Sequence, residues 1–434
     1  MRQRELLIYR VDNMEEGGLL KDMVFLLEHC GEAGVSGQEK EEHRALFYNC
    51  AHRLLELAGS HGFYGNLWHC YLTNLLVNCE NSYSMACEIR GEVEGTINDA
   101  ALHDITIFKE FFDVDFSLLL KMLDAEDCRM LFDYDVSEQE SKVYNTRICK
   151  RICDLAKEFL KCRTAGEMKA ALTAFYKDYG VGRFGLHKSF RIVHKDDRAQ
   201  IEPILNIAHV KLSDLVGYEL AKKKLVENTE AFVCGRKANN CLLYGDAGTG
   251  KSSSIKGIIN EYYDKGLRII EVYKHQFRDL NDVISQIKNR NYKFIIYMDD
   301  LSFEDFEIEY KYLKAVIEGG LEKKPENVLI YATSNRRHLV REKYSDKEER
   351  VDDLHKGDTV AEKLSLVARF GVTIYFGAPD RKLFKAIVLT LAERNGIDME
   401  EEELLSEANK WELNHGGLSG RTAQQFIDYL MGTN

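Results

Sequence analysis

The stretch Gly245-Asp-Ala-Gly-Thr-Gly-Lys-Ser252 fits the phosphate-binding loop pattern of Gly, four residues, Gly, Lys and Ser/Thr. An apolar run, Cys241 to Tyr244, precedes it and predicts a buried strand, while Ser253 to Tyr263 predicts a helix after it. A glycine-rich turn between a strand and a helix points backbone N–H groups inward and adds the positive end of a helix dipole. The alternative is a turn that matches by chance, and the flanking elements favour the phosphate loop.

Side chains of this loop can be given expected roles. Lys251 is expected to reach the β- and γ-phosphates of a nucleotide, and Ser252 to hold a magnesium ion. The residues of the loop predicted to bind the nucleotide are Gly245, Asp246, Ala247, Gly248, Thr249, Gly250, Lys251, Ser252 and Ser253.

A second apolar run, Phe294 to Met298, ends in two carboxylates, Asp299 and Asp300. At the end of a buried strand, Asp299 can coordinate magnesium directly or through water, and Asp300 can polarise an attacking water. Two turn-forming aspartates are the alternative. Their position downstream of a phosphate loop favours the catalytic interpretation.

A third apolar run, Val328 to Thr333, continues into Ser334 and Asn335. Asn335 is expected beside the γ-phosphate, where its amide can help to place a water; the roles of Thr333 and Ser334 stay open. The next residues are Arg336, Arg337 and His338. They are either a solvated turn or a cationic cluster that senses phosphate or a neighbouring subunit.

The composition is ordinary for a soluble globular protein. Its 434 residues leave room for two or three domains, and hydrophobic and charged residues make up 45% and 30%. No apolar run is long enough to span a bilayer, and no signal peptide is recognisable. Eleven cysteines without metal-like pairs indicate a reduced, cytoplasmic protein, with Cys149 and Cys153 on one helix face. The net charge of −12 argues against broad nucleic-acid binding but allows a local basic patch.

The first 200 or so residues predict mostly helix and offer no catalytic constellation or metal-ligand spacing. The segments with helical periodicity are Leu19–Cys30, Lys40–Leu57, Leu67–Cys79, Ile107–Leu123 and Ser141–Leu160. Gly180 to Gly185 matches a dinucleotide fingerprint, but Met168 to Tyr179 before it predicts a helix, so that match is rejected. The basic stretch from Lys161 to Arg198 is either a solvated linker surface or a docking site for a polyanion or acidic partner.

After a transition from Pro203 to Ser213, strands and helices alternate, which predicts a parallel sheet with helices on both faces. The expected strands are Asn240–Tyr244, Leu267–Tyr273, Phe294–Met298, Val328–Thr333 and Val372–Phe376. A Lys-rich helix, Glu219–Phe232, precedes them, and a charged mobile loop is expected at Arg341–Lys363. Three helices, Asp380–Arg394, Asp398–Leu413 and Ser419–Leu430, end the chain, with Asp380 and Asp398 as N-caps.

Together these motifs resemble the AAA+ ATPases over about residues 200 to 434. The loop at 245–252 corresponds to Walker A, Asp299 and Asp300 to Walker B, and Asn335 to sensor 1. Ser365-Leu-Val-Ala-Arg-Phe-Gly371 resembles the family's arginine-finger segment, and Gly417-Leu-Ser-Gly-Arg-Thr422 its sensor 2 motif. The resemblance therefore gives Arg369 and Arg421 these two roles. Leu215-Val-Gly-Tyr218 resembles the segment that packs on adenine, which adds Val216 and Gly217 to the nucleotide-binding residues.

More narrowly, Asp299-Asp-Leu-Ser-Phe-Glu304 and Ala332-Thr-Ser-Asn-Arg-Arg-His-Leu339 resemble a bacterial AAA+ group of unassigned function. Two features depart from the wider superfamily. In most members the second Walker B residue is glutamate, whereas Asp300 of this chain is one methylene shorter. Many threading members carry an aromatic-hydrophobic-Gly loop where this chain has Lys274 to Leu280 without glycine.

The resemblance implies a parallel five-stranded P-loop core at 201–378 and a helical lid at 379–434. Before them, the helical periodicity predicts a mostly helical N-terminal domain at 1–200, for which a partner-binding or regulatory role is expected. The resemblance also implies ATP and Mg²⁺ as cofactors and a homo-oligomer, because Arg369 would act on a neighbouring subunit's site; if it does not, a monomer suffices. The expected activity is ATP hydrolysis that remodels or loads a macromolecular partner. A low-turnover nucleotide switch is the first alternative, and a DNA-associated ATPase the second.

Overall fold

The structure is a computed structural model. It describes residues 3–11, 14, 16–29, 37–135, 144–195, 198–205, 207, 209–303, 309–318, 325–336, 339 and 366–433. The predicted loop at 341–363 lies outside the described residues, as do Glu304, Arg337, His338 and Ser365. The chain divides into two compact units, Met1–His187 and Lys188–Asn434.

The regular elements among the described residues of unit 1 are helices. Its helices are α1 (Gly17–His29), α2 (Gly37–His61), α3 (Leu67–Asn78), α4 (Ser82–Arg90), α5 (Ile97–Phe112), α6 (Ser117–Met122), α7 (Thr146–Lys161), α8 (Ala165–Tyr179) and α9 (Gly182–Leu186). Three of these helices have an asparagine N-cap. The side chains of Asn66, Asn81 and Asn145 accept hydrogen bonds from N–H groups of the first turns of α3, α4 and α7.

One predicted helix of unit 1 is two helices. The prediction ran from Ile107 to Leu123, but α5 ends at Phe112 and α6 begins at Ser117. The Asp115 carboxylate accepts a hydrogen bond from the N–H of Ser117 at 2.9 Å. Aspartate offers the backbone a local partner of this kind, which favours a turn over a continuous helix.

A buried carboxylate fastens the N-terminal segment to the helices of unit 1. Asp104 on α5 is fully buried, and its oxygens accept hydrogen bonds from the N–H groups of Leu7, Ile8 and Tyr9 at 2.8–3.0 Å. His103 Nδ1 also lies 2.9 Å from Asp104 Oδ1. Buried charge is tolerated where each lone pair is satisfied in this way.

Unit 2 is built on a mostly parallel sheet of seven strands. They are β1 (Ser189–Lys195), β2 (Arg198–Pro203), β3 (Cys241–Gly245), β4 (Leu267–Glu271), β5 (Lys293–Met298), β6 (Val328–Ser334) and β7 (Val372–Phe376), in the order β2-β1-β4-β5-β6-β3-β7. All neighbours are parallel except β1 and β2. The residues that end β5, β6 and β3 therefore meet at one edge.

The expectations of five strands and of helix up to about residue 200 were both wrong at β1 and β2. These strands form an antiparallel hairpin that extends the sheet beside β4. In β1, Phe190 and Ile192 are buried while Arg191 between them is exposed. This alternation is the strand signal, and the basic character of the segment obscured it.

Some helices of unit 2 pack on the sheet, and three come after its last strand in the chain. They are α10 (Glu219–Val233), α11 (Lys251–Tyr262), α12 (Leu280–Ile287), α13 (Glu309–Glu318), α14 (Arg381–Arg394), α15 (Glu401–Asn414) and α16 (Gly420–Thr433). Apolar residues of α10 and α11 pack on one sheet face with residues of β3, β5 and β6. The segment Lys274–Asp279, where threading members carry a pore loop, is a short 3-10 helix.

The C-terminal helices α14, α15 and α16 share a separate apolar core. Asp380 caps α14, since its Oδ1 accepts from the N–H of Leu383 at 2.7 Å. The prediction that Asp398 caps the next helix was wrong, because α15 begins three residues later, at Glu401. Three glutamates in its first turn instead provide negative charge at the positive end of the helix dipole.

Two further findings concern the described residues only. None of the helices there is long and apolar enough to cross a membrane. No group of three or more His, Cys, Asp or Glu side chains among them could hold a metal ion. Cys149 and Cys153 are both buried on α7 as free thiols.

Replacing Asp104 with alanine should destabilise unit 1 by about 3 kcal/mol, because buried N–H groups lose a charged acceptor. The chain has two tryptophans, so in a Trp411→Phe background the fluorescence of Trp68 reports unit 1 alone during denaturant unfolding. Asp154→Ala, at an exposed position of α7, is the matched control and should change stability by less than about 0.5 kcal/mol. Equal stabilities of the two variants would contradict the role given to Asp104.

Candidate functional site

Glycines of the loop between β3 and α11 are required by close backbone approaches. Gly245 has φ 135°, and a Cβ there would lie 2.1 Å from the carbonyl oxygen of Phe376 on β7. Gly248 has φ 73°, and its Cβ would lie 3.0 Å from Arg421 Cβ. A side chain at either position is therefore disfavoured by both space and conformation.

Lys251 lies at the start of α11 with its side chain folded into the loop. It is 6% exposed, and its Nζ donates to the carbonyl oxygens of Gly245 and Asp246 at 3.0 and 2.6 Å and to Asn335 Oδ1 at 3.0 Å. Burial lowers its pKa, and the negative charges of Asp246, Asp300 and Asp299 oppose that shift. The loop thus carries a desolvated cation beside three carboxylates.

Asp299 follows β5 and is held by two hydroxyl groups. Ser252 Oγ donates to its Oδ1 at 2.7 Å and Thr333 Oγ1 to the same oxygen at 2.5 Å. Burial would raise the pKa of Asp299, but the nearby hydroxyl groups of Thr333, Tyr297 and Ser252 outweigh burial and lower the pKa. A carboxylate kept ionised next to a hydroxyl oxygen suits a hard cation.

Asp300 has a left-handed backbone, with φ 50°. Its N–H donates to Thr333 Oγ1 at 2.9 Å, and its Oδ1 accepts from Asn335 Nδ2 at 2.8 Å. A non-glycine residue in this region costs free energy, and such strain is concentrated at functional sites. Asn335 thereby connects Lys251 on one side with Asp300 on the other.

These groups line one cavity of about 620 Å³. Its polar floor is the loop and the ends of β5 and β6, and one wall is apolar, with Leu215, Val216, Ile387 and Leu391. Gly420, Arg421 and Gln424 of α16 form another part of the lining. The N–H of Arg421 lies 3.3 Å from the carbonyl oxygen of Gly248 and donates to it, so α16 is adjacent to the loop.

The apolar wall depends on an unusual turn before α10. Gly217 has φ 80°, and a Cβ on it would lie 2.5 Å from Leu383 of α14. Tyr218 is also left-handed, and its hydroxyl donates to the carbonyl oxygen of Gly377 at 2.9 Å. Arg394 donates to the carbonyl oxygens of Ser213 and Asp214. Contacts of α14 thus determine where this turn lies.

Most of the residues predicted from the sequence meet at this cavity. Those that line it are Val216, Ala247, Gly248, Thr249, Gly250, Lys251, Ser252, Ser253, Asp299, Asp300, Asn335 and Arg421. Gly217, Gly245 and Asp246 support the lining residues instead; the Asp246 carboxylate, for example, accepts from the N–H of Ala378 at 2.7 Å.

Of the residues given a catalytic role, Arg369 is the one that lies away from the cavity. It does not line the cavity, and its guanidinium forms an ion pair with Glu318 at the end of α13. Arg336 is exposed just after β6, and its N–H donates to Ser334 Oγ at 3.1 Å.

Sequence reasoning missed several lining residues. Ile387 and Leu391 are four residues apart on α14, a spacing that marks one helix face but not what that face meets. No sequence pattern pointed to Gln424 as a lining residue. Thr333, whose role was left open, is the residue that contacts both aspartates.

The donor set fits a magnesium ion. Mg²⁺ is typically bound by one or two carboxylates together with substrate phosphates and waters, and Ser252 and Asp299 offer one hydroxyl and one carboxylate beside the phosphate loop. The loop after β3 and the polar ends of β5 and β6 lie at the same edge of the parallel sheet.

Residues 186–434, more than half of the chain, match the family described as "Protein of unknown function (DUF815)", and the chain belongs to this family. A segment of 74 residues is 36% identical to the replication factor C large subunit of Staphylothermus marinus, and it spans 17% of each chain. A mutant of Thermotoga maritima RuvB is 17% identical, with a TM-score of 0.36, over 50% of this chain and 64% of that one. The Thermotoga maritima RuvB Holliday junction branch migration motor is 14% identical, with a TM-score of 0.33, over 51% and 72%.

Thr333→Val should lower the stability of unit 2 by about 2 kcal/mol, because the Asp299 carboxylate loses a donor and the Asp300 N–H loses its acceptor. Thermal unfolding followed by circular dichroism measures this. Thr373→Val, at an exposed position of β7, is the matched control and should have little effect. A Thr333 variant as stable as the Thr373 variant would show that this hydroxyl does not organise the site.

Proposed function

We propose that this protein is a magnesium-dependent ATPase of AAA+ type that couples its nucleotide state to a macromolecular partner. The observation that carries this proposal is the continuous chain of contacts from Ser252 and Asp299 through Thr333 to Asp300, Asn335 and Lys251 in one cavity. These contacts would join a phosphate-binding group, a cation site and a water-activating carboxylate.

ATP would match both parts of the cavity, with its phosphates at the polar floor and its base at the apolar wall. The phosphates would bind the N–H groups of the loop and Lys251, whose Nζ would exchange its contacts with loop carbonyls for phosphate oxygens. The base would lie against Val216, Ile387 and Leu391. A volume of about 620 Å³ is within the range of small-molecule and cofactor sites.

Each polar residue then has a part in hydrolysis. Mg²⁺ bound by Ser252 and Asp299 would neutralise charge on the β- and γ-phosphates. Asp300 would accept a proton from the attacking water, and Asn335 would orient that water. The hydrogen bond from Asn335 already orients the Asp300 carboxylate.

Arg421 and the helices α14–α16 would respond to the γ-phosphate. Arg421 lines the cavity next to Gly248, so a phosphate in the loop lies within reach of α16. These three helices would act as a lid over the nucleotide. Their core is their own, which allows them to move as one body.

Arg369 would complete the site of a neighbouring subunit. It is outside the cavity of its own chain and pairs with Glu318, so a role in the same chain would need a large movement. An arginine supplied by a neighbour accounts for a rate factor on the order of a thousandfold or more. The active form would therefore be a homo-oligomer, and unit 1 would recruit the partner.

A nucleotide-dependent switch with little turnover is the second candidate. Asp300 in place of glutamate favours it, as does the 3-10 helix Lys274–Asp279, which lacks the glycine of a threading pore loop. In that case ATP would be bound and held until a partner arrives.

Lys251→Ala should abolish ATP binding, because the variant loses the buried cation that faces the phosphates. Equilibrium binding of a fluorescent ATP analogue measures this. Lys237→Ala changes an exposed lysine just before β3 and should leave the affinity within about twofold, as surface substitutions usually have small effects. Retained affinity in the Lys251 variant would refute the nucleotide site.

ATP hydrolysis per subunit should rise with protein concentration, since Arg369 would act between subunits. Asp300→Asn should abolish hydrolysis while ATP binding persists, and Arg369→Ala should lower turnover by about a thousandfold or more without loss of binding. The measurement is magnesium-dependent phosphate release over a wide range of protein concentrations. Negligible hydrolysis at every concentration, with ATP still bound, would favour the switch.

A further inference from the structure

Tyr297 lies in the core directly below the proposed cation site. It is on β5, two residues before Asp299, so the two side chains point to the same face of the sheet. Its ring packs among residues of that face and of α11, such as Ile255 and Ile258, and the side chain is 4% exposed. The hydroxyl is the end of the ring nearest the carboxylate.

This hydroxyl is a polar group without a hydrogen-bond partner among the described residues. It interacts with the charge of Asp299 and lies beside Ser252 and Thr333, yet none of them meets the geometry of a hydrogen bond to it. A buried hydroxyl in this state costs free energy that a phenylalanine would not. Packing alone therefore does not explain a tyrosine here.

Tyr331 on the neighbouring strand gives the contrast. It pairs in register with Tyr297 and is fully buried as well. Its hydroxyl, however, lies 2.9 Å from both Thr229 Oγ1 and Asn228 Nδ2 and is hydrogen-bonded to them. Of these two buried tyrosines on adjacent strands, Tyr331 has hydrogen-bond partners and Tyr297, next to the proposed cation site, has none among the described residues.

We propose that Tyr297 is a positioning residue of the cation site, and that its hydroxyl donates a hydrogen bond to the Asp299 carboxylate when Ser252 and Asp299 take up Mg²⁺. This inference rests on the proposed function. With Mg²⁺ bound, Ser252 would no longer donate to Asp299 Oδ1, so the carboxylate could accept from the Tyr297 hydroxyl instead. Thr333 and Tyr297 would then orient the carboxylate together.

The experiment is a Mg²⁺ titration of the binding of a fluorescent, non-hydrolysable ATP analogue to the full chain. Tyr297→Phe removes one hydroxyl and keeps the ring, and Tyr331→Phe is the matched control. The half-saturating Mg²⁺ concentration should rise about tenfold in the Tyr297 variant and stay unchanged in the control. Affinity for the analogue in the presence of EDTA should be the same in both variants and the unsubstituted protein.

Thermal unfolding without nucleotide or Mg²⁺ separates a positioning role from a structural one. The melting temperature should be unchanged or higher in the Tyr297 variant, which loses an unpartnered hydroxyl, and lower in the Tyr331 variant, which loses two hydrogen bonds. A positioning role is overturned if the Mg²⁺ dependence of the Tyr297 variant equals that of the unsubstituted protein. It is also overturned if the analogue binds more weakly to this variant in EDTA, or if both variants shift alike.

The same titration separates failure of this inference from failure of the proposed function. If the unsubstituted protein binds no analogue at any Mg²⁺ concentration, the nucleotide site itself is wrong and the role of Tyr297 falls with it. If the analogue binds in a Mg²⁺-dependent way and Tyr297→Phe leaves that dependence unchanged, only the role of Tyr297 is wrong.

Discussion

One hydroxyl group, that of Thr333, joins the two aspartates on which the candidate site depends. It donates to the Asp299 carboxylate and accepts from the Asp300 N–H. These two bonds are possible because β5 and β6 are adjacent and parallel and end at the same level. They hold Asp300 in its left-handed conformation, from which its carboxylate reaches Asn335 and, through it, Lys251.

The apolar sheet below gives these contacts their strength. β5 and β6 are buried almost throughout, so the charged groups at their ends lie at the boundary between a packed interior and a cavity. A low dielectric strengthens each hydrogen bond and makes an unpaired charge costly. Lys251 and Asp299 are accordingly tied to several partners each. Nucleotide and cation would replace existing contacts rather than fill a loosely held site.

The departures from the AAA+ pattern have a structural context. Asp300 is short, but Asn335 fixes its carboxylate. Arg369 is engaged with Glu318, so assembly into an oligomer would have to break one ion pair to form another. Unit 1 has its own core, with Asp104 as its most buried charge, and nothing in its described helices resembles the site of unit 2. A partner-binding role for unit 1 is part of the proposed function.

Local sequence was sufficient for features that depend on short-range chemistry. The glycine-rich loop, the apolar strands that end in Asp299 and Asn335, and the cap of α14 at Asp380 are written in adjacent residues. Each is decided by backbone conformation, strand burial or a hydrogen bond within a few positions. The family resemblance added Val216 and Arg421, which do line the cavity.

Only the tertiary structure decided which distant groups meet. The β1–β2 hairpin joins the sheet because β1 pairs with the edge of β4. No sequence pattern within residues 189–203 predicts this pairing. Thr333 became the link between two aspartates through the pairing of β5 with β6, and Ile387 and Leu391 became a cavity wall through the packing of α14. The unpaired hydroxyl of Tyr297 is also a property of packing. Sequence determines the local chemistry of each element, whereas strand pairing and helix packing, which act between residues far apart in the chain, determine what that chemistry faces.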